Sequence, residues 1–176
     1  MKISGLELRY VKLFCKAITE GVIEEGLCIS REAGVPEGQM AALKFITDNP
    51  ESTLSHVALA LNVSPPAATR LVDGLVKKGM VFRVQSETDR RALVLSSSER
   101  GRKLIRGVEE AQMEGFNKMV SQMTDEERSR LLNGIKAFIE GISKVSGISL
   151  NELCLHCGEA HDPECILAPW YKREDG

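Results

Sequence analysis

The chain has 176 residues, 43% of them hydrophobic, 5% aromatic and 27% charged, with a formal net charge of −2. Such a chain buries a full core in one or two domains, and its low aromatic content leans towards helix. No apolar run reaches the roughly 20 residues needed to span a bilayer, and the opening MKISGLELRYVK lacks the apolar stretch of a secretory signal, so a cytoplasmic chain with no membrane contact is expected.

Over residues 6–30, Leu8, Val11, Phe14, Ile18, Val22 and Leu27 recur at three- to five-residue intervals, which predicts a long amphipathic helix. Cys15 and Cys28 on or near it read as buried small hydrophobes. After Gly34-Val35-Pro36, residues 37–48 form a second helix with Met40, Leu43 and Ile46 inward, terminated by Asn49-Pro50. Ser52 or Thr53 caps a third helix with Leu54, Val57, Ala58 and Leu61 inward, and His56 reads as a surface or supporting residue. Asn62-Val63 then turns the chain into a fourth helix opened by Ser64-Pro65-Pro66. The Ser64 side chain is expected to accept from the free backbone N–H groups, while Pro65 sits where a missing donor costs nothing. Leu71, Leu75 and Val76 share one face, and Gly79 is a left-handed stop after Lys77-Lys78.

Residues 80–84 and 92–95 are rich in β-formers and predict two strands, with seven polar and charged residues between them as a hairpin tip. Residues 98–123 predict a long helix carrying Leu104, Ile105, Val108, Met113, Phe116, Met119 and Val120. Thr124 and Glu127 form a capping-box pattern that opens a last helix to about residue 145, closed by Gly147. Met113, Met119 and Met123 read as packing residues of these helices, with the lining of an effector pocket as the alternative.

Charge is unevenly spread along the chain. Residues 51–103 hold nine Lys/Arg against five Asp/Glu, a local net of +4; residues 151–176 hold two against six, a local net of −4. Two short helices, a glycine stop and a hairpin tipped by arginines, all in the basic stretch, make a device for holding double-stranded DNA. One helix enters the major groove, and the hairpin reaches the backbone and the minor groove.

The recognition-helix block from Ser64-Pro65-Pro66-Ala67-Ala68-Thr69-Arg70 to Lys77-Lys78-Gly79, with Asp89-Arg90-Arg91 and Ala92-Leu93-Val94-Leu95-Ser96 after it, resembles the MarR family of winged helix-turn-helix transcription regulators. The likeness covers residues 6–146. It implies a mainly α fold: a small β-hairpin wing within a DNA-binding domain over residues 36–97, an N-terminal dimerisation helix over residues 1–35, and C-terminal dimerisation helices over residues 98–147. It implies a homodimer, a repressor more than an activator, that sets two recognition helices about one DNA turn apart on a pseudo-palindromic operator. An effector, whether small molecule, metal or oxidant, would change that spacing.

Within this frame Ser64, Ala67, Ala68, Thr69 and Arg70 are expected to face base edges, with Arg70 suited to a bidentate contact with guanine. Arg90 is expected in the minor groove, with Asp89 positioning it. Lys77, Arg83 and Arg91 are expected on phosphates, where they position without specifying.

The resemblance does not reach residues 148–176. There Cys154, Cys157, His161 and Cys165 place three thiols and an imidazole within twelve residues, a spacing suited to a tetrahedral zinc site. An iron–sulfur cluster or a redox-active thiol site is a second reading, and a tail with incidental cysteines and no metal a third. From these follows an alternative function: a metal- or redox-sensing protein whose tail is the sensor and whose winged domain binds another partner. No phosphate-cradling glycine loop and no arrangement of serine, histidine and carboxylate stands out, so an enzyme is not expected.

Overall fold

The apolar periodicities resolve into seven α-helices, one π turn and a two-stranded antiparallel sheet in the computed structural model, which describes residues 4–86, 93–142, 144–145 and 165–168. The first helical run is α1 (Gly5–Ile18), a π turn (Thr19–Ile23) and α2 (Glu24–Glu32). Ser4 opens it with a capping box: its hydroxyl accepts from the Glu7 N–H at 3.2 Å, and its own N–H donates to the Glu7 carboxylate at 2.6 Å. That backbone hydrogen bond, with the Ser4 hydroxyl beside it, holds the Glu7 carboxyl below its usual range.

The predicted apolar stripe is present on α1, yet no α1 residue is buried; Leu6, Leu8, Tyr10, Val11 and Phe14 are all exposed. Cys15 and Cys28 are likewise exposed, which corrects the expectation that both are buried. The reason is which side of the run meets the rest of the chain. On α2 the inward positions are Gly26 and Ser30, while Cys28 faces out with its Sγ 3.8 Å from Glu32 Oε1.

The core lies under α3 (Glu37–Asp48), α4 (Leu54–Ala60), α5 (Pro65–Lys77), the strands β1 (Val81–Gln85) and β2 (Leu93–Ser97), and the first half of α6 (Glu99–Val120). Leu43, Ile46, Val57, Val72, Leu75 and Val81 are fully buried there. Each such side chain stabilises the fold by about 1.5–3 kcal/mol. β1 and β2 pair in register from Val81 opposite Ser97 to Gln85 opposite Leu93. The Leu95 N–H also donates to the Ser52 carbonyl at 2.8 Å, fixing the sheet to the segment before α4. Lys44 of α3 bonds Glu109 of α6 at 2.6 Å and pairs with Asp48 at 3.2 Å, tying α6 to the same body.

Local rules set the helix ends. Thr53, of the two predicted candidates, caps α4, accepting from the His56 N–H at 3.3 Å while the Thr53 N–H donates to His56 Nδ1 at 3.3 Å. Asn62 closes α4 at φ 50°, with its N–H on the Leu59 carbonyl and the Val63 N–H on Ala58, a Schellman closure that asparagine tolerates. Gly79 closes α5 in the same way at φ 67°, with its N–H on Val76 and the Met80 N–H on Leu75. The chain then doubles back: Ser98 donates from its hydroxyl to the Gly79 carbonyl at 2.8 Å and accepts from the Gly101 N–H at 3.0 Å, capping α6. Thr124 and Glu127 form the predicted capping box at the start of α7 (Asp125–Ile142), another helix with no buried residue.

Candidate nucleic-acid interface

The helix-turn-helix consists of α4, the Asn62 turn and α5. Both helices are anchored by their inner faces: Val57 and Ala58 on α4, and Ala68, Val72 and Leu75 on α5. What remains outside on α5 is Ser64, Pro65, Pro66, Arg70 and Lys77, with Ala67 and Thr69 half-buried. Two corrections to the sequence reading arise at this end of the helix. Ala68, expected among the residues facing base edges, is 0% exposed and belongs to the core. Its position three residues before Leu71, four before Val72 and seven before Leu75 puts it on their face.

Ser64 makes no side-chain cap. Pro65 and Pro66 have no N–H to offer, so the first donors are the Ala67 and Ala68 N–H groups, and both reach the Ser64 carbonyl at 2.9 and 3.0 Å. The Ser64 hydroxyl is thereby left exposed and outside the helix's own bonding at the mouth of α5. Thr69 donates its hydroxyl hydrogen to the Pro65 carbonyl at 3.0 Å, which keeps its oxygen as an acceptor. Arg70 has no hydrogen bond or ion pair among the described residues and is exposed one turn inside the helix.

Arg83, expected on a phosphate, projects from β1 and bonds Asp73 of α5 at 2.6 Å, so strand and helix share one ion pair. At the far end of α5, Lys78 donates to Gln39 Oε1 at 2.5 Å, and the Gln39 amide lies where a Cβ on Gly74 would be. Arg100 of α6 donates to the Lys78 carbonyl at 3.1 Å. Neither Asp73 nor Arg100 was singled out by sequence. Asp73 sits three residues after Arg70, and nothing in its spacing tells a groove-facing carboxylate from one that pairs with a strand. Below Arg100, Arg106 and Arg102 hydrogen-bond the Glu99 carboxylate and hold it below its usual range.

Asp89, Arg90 and Arg91 of the wing tip lie outside the described residues, as do Cys154, Cys157 and His161 of the tail. Cys165 is described; it is exposed, and its Sγ accepts from the Leu167 N–H at 3.4 Å. Among the described residues no cluster of three metal-ligating side chains is present, and no helix is long and apolar enough to cross a membrane.

Comparison with known proteins finds relatives that share this geometry. Residues 33–92, from the end of α2 through the helix-turn-helix to the start of β2, match the model of the MarR family. The chain is 30% identical over 108 residues to a putative transcriptional regulatory protein for the hcr operon of Thauera aromatica, covering 61% of this chain and 65% of that protein. It is 27% identical over 119 residues to the transcriptional repressor MprA of Escherichia coli K12, covering 66% of this chain and 68% of the repressor. The Streptococcus pneumoniae FabT structure, solved in complex with DNA, shares the fold with a TM-score of 0.65 and 22% identity, over 78% of this chain and 97% of FabT. The chain thus spans just under two thirds of the length of the Thauera regulator. The helix-turn-helix and β1 lie within the residues that match the MarR family model, and the chain as a whole has the winged helix-turn-helix fold of the solved structures it resembles.

Proposed function

We propose that this chain is a cytoplasmic, homodimeric transcription repressor that binds a pseudo-palindromic DNA operator through α5 and the wing. The observation that carries the reading is the exposed opening of α5. Ser64 and Arg70 stand clear of a helix whose other face is anchored in the core by Ala68, Val72 and Leu75. A guanidinium there suits a guanine edge, and an exposed hydroxyl at a helix N-terminus suits a phosphate. The MarR match, the regulator and repressor among the relatives, and FabT's complex with DNA support the same direction.

Two-fold assembly is supported by apolar surface that the single chain leaves exposed. Tyr10, Val11 and Phe14 on α1, and Leu132 and Phe138 on α7, are each more than 40% exposed. Apolar stripes of this extent on helices with no buried residue call for a partner face, and an isologous dimer supplies one. An effector that prefers one spacing of the two recognition helices shifts the dimer towards it and changes operator affinity.

The test is selection from a random duplex pool with the full chain, with light scattering on the free protein. A dimer that enriches an inverted repeat supports the reading. A monomer, or a pool that stays random, contradicts it.

We also propose that Cys154, Cys157, His161 and Cys165 hold zinc. The spacing suits tetrahedral ligation, and the Leu167 N–H directed at Cys165 Sγ is the kind of donor that steadies a thiolate ligand. Elemental analysis of anaerobically purified protein tests this. About one zinc per chain with no colour agrees with a closed site. Iron with a brown chromophore, or no metal, contradicts it.

A further inference from the structure

The π turn Thr19–Ile23 stands between two unlike halves of the first helical run: α1 buries nothing, whereas α2 packs Gly26 and Ser30 inward. In this turn the Glu24 N–H donates to the Thr19 carbonyl five residues back, so the helix carries one residue more than an α turn holds. Such turns are rare and recur at functional positions.

The turn also lies where another helix comes closest. A Cβ on Gly115 of α6 would collide with the Gly21 carbonyl oxygen, so the two backbones meet with no side chain between them. Seen from the other side, a Cβ on Gly21 would stand 2.9 Å from Met119 Sδ. A Cβ on Gly26 would stand 2.9 Å from Val108 Cγ1. Gly107, also in α6, would meet nothing within 4 Å, so the close approach depends on where along the helix a glycine stands. α6 is in turn joined to the end of the recognition helix through Ser98 on Gly79 and Arg100 on Lys78. A continuous path of short contacts therefore runs from the base of α1, across Gly21 and Gly115, along α6 to α5.

We infer that the π turn is a hinge that sets the direction of the α1 arm relative to the recognition helix, with the Gly21–Gly115 backbone contact as its catch. Passing the extra residue out of the turn moves α1 by one residue, about 1.5 Å along the axis and about 100° around it. In the dimer proposed above, on which this inference rests, α1 carries the apolar face towards the partner. A change at the hinge therefore changes how the two recognition helices are spaced. The hinge is a two-state element, which is what coupling between distant parts of a fold requires.

The test compares Gly115→Ala, Gly107→Ala and a deletion of Glu20, an exposed residue within the turn, by hydrogen exchange on the full chain and by affinity for a duplex selected by the wild-type protein. Gly115→Ala is expected to speed exchange of amides 19–24 by at least about tenfold and leave those of α3–α5 unchanged. It is expected to lower duplex affinity by about tenfold, within the usual range of coupling between sites. Deleting Glu20 closes the turn to α-helix and is expected to slow exchange there. Gly107→Ala is expected to match wild type in the exchange of amides 19–24 and in duplex affinity. The inference is overturned if Gly115→Ala matches Gly107→Ala in local exchange, or if exchange rises while affinity stays within about twofold of wild type. Should the wild-type protein select no duplex, the DNA-binding reading fails separately. The dimer dissociation constant from sedimentation then reports the arm's direction, and an unchanged constant in both hinge variants overturns the hinge.

Discussion

Arg83 Nη2 lies 2.6 Å from Asp73 Oδ1, so the first strand of the wing is held to α5, the second helix of the helix-turn-helix. Their side chains are 34% and 44% exposed, which leaves the pair screened by water. A double-mutant cycle with Asp73→Ala and Arg83→Ala, read by denaturant unfolding, is expected to give a coupling of about 0.2–1 kcal/mol. The pair orients the wing more than it stabilises the fold. A coupling indistinguishable from zero would mean that the two groups part in solution.

Two glycines of α6 are expected to respond in opposite directions to alanine. A Cβ at Gly101 meets the Met80 carbonyl, which is itself held by the Ser98 N–H at 2.9 Å and cannot retreat freely. Gly101→Ala is expected to cost about 1–3 kcal/mol through overpacking. Gly107→Ala meets open space and is expected to add up to about 1 kcal/mol through helix propensity. Thermal unfolding of the two variants side by side decides it, and equal shifts would show that the close approach at Gly101 is absent.

The reciprocal cap of α4 gives a third expectation. Thr53→Ala removes the acceptor of the His56 N–H and leaves that donor without its capping partner. A loss of about 1 kcal/mol is expected in unfolding experiments. His56→Ala keeps the threonine acceptor and is expected to cost less.

The capping box of α7 makes a pH-dependent contribution. The Thr124 backbone N–H, then its hydroxyl, hydrogen-bond the Glu127 carboxylate and hold its pKa below the ordinary value. Because the folded-state pKa is depressed, the contribution is present above the ordinary glutamate value and is lost as pH falls through the depressed one. Wild type and Glu127→Gln should therefore differ in α7 helicity at neutral pH and converge in acid. A difference that persists unchanged in acid would assign the effect to something other than the carboxylate's charge.

Much of the fold was legible because its cues are local. Residues 37–48 read as a helix from Met40, Leu43 and Ile46, and the structure has α3 over that range with all three buried. Gly79 read as a left-handed stop from its place after Lys77-Lys78, and it closes α5 at φ 67°. Thr124 and Glu127 show the reciprocal bonds that their spacing suggests. What was not legible depends on partners or on competition between rules. Ser64 has the chemistry of a cap, but the Ala67 N–H, the donor such a cap would satisfy, bonds the Ser64 carbonyl instead of its hydroxyl. Ala68 lies on the face of Leu71 and Leu75 by spacing, but its small size lets it be passed over in an apolar stripe, and in the fold it is core. Cys15 follows the apolar period of α1, a helix on which no residue is buried, so a buried-looking pattern is exposed. The π turn is invisible to any fixed-period reading, since one extra residue leaves the intervals within the range a helix allows.

The measurement that bears most directly on the account is the affinity of the full chain for its selected inverted repeat and for a scrambled duplex of equal length, with wild type and Arg70→Ala, across a salt series. The expected result is a preference of at least about 10³ for the repeat in wild type, with affinity falling steeply as salt rises. Arg70→Ala is expected to lose about 1–3 kcal/mol of discrimination at one base pair in each half-site. Equal binding of repeat and scramble by the wild-type protein, or binding that ignores salt, would contradict the assignment of α5 as a reader of DNA sequence.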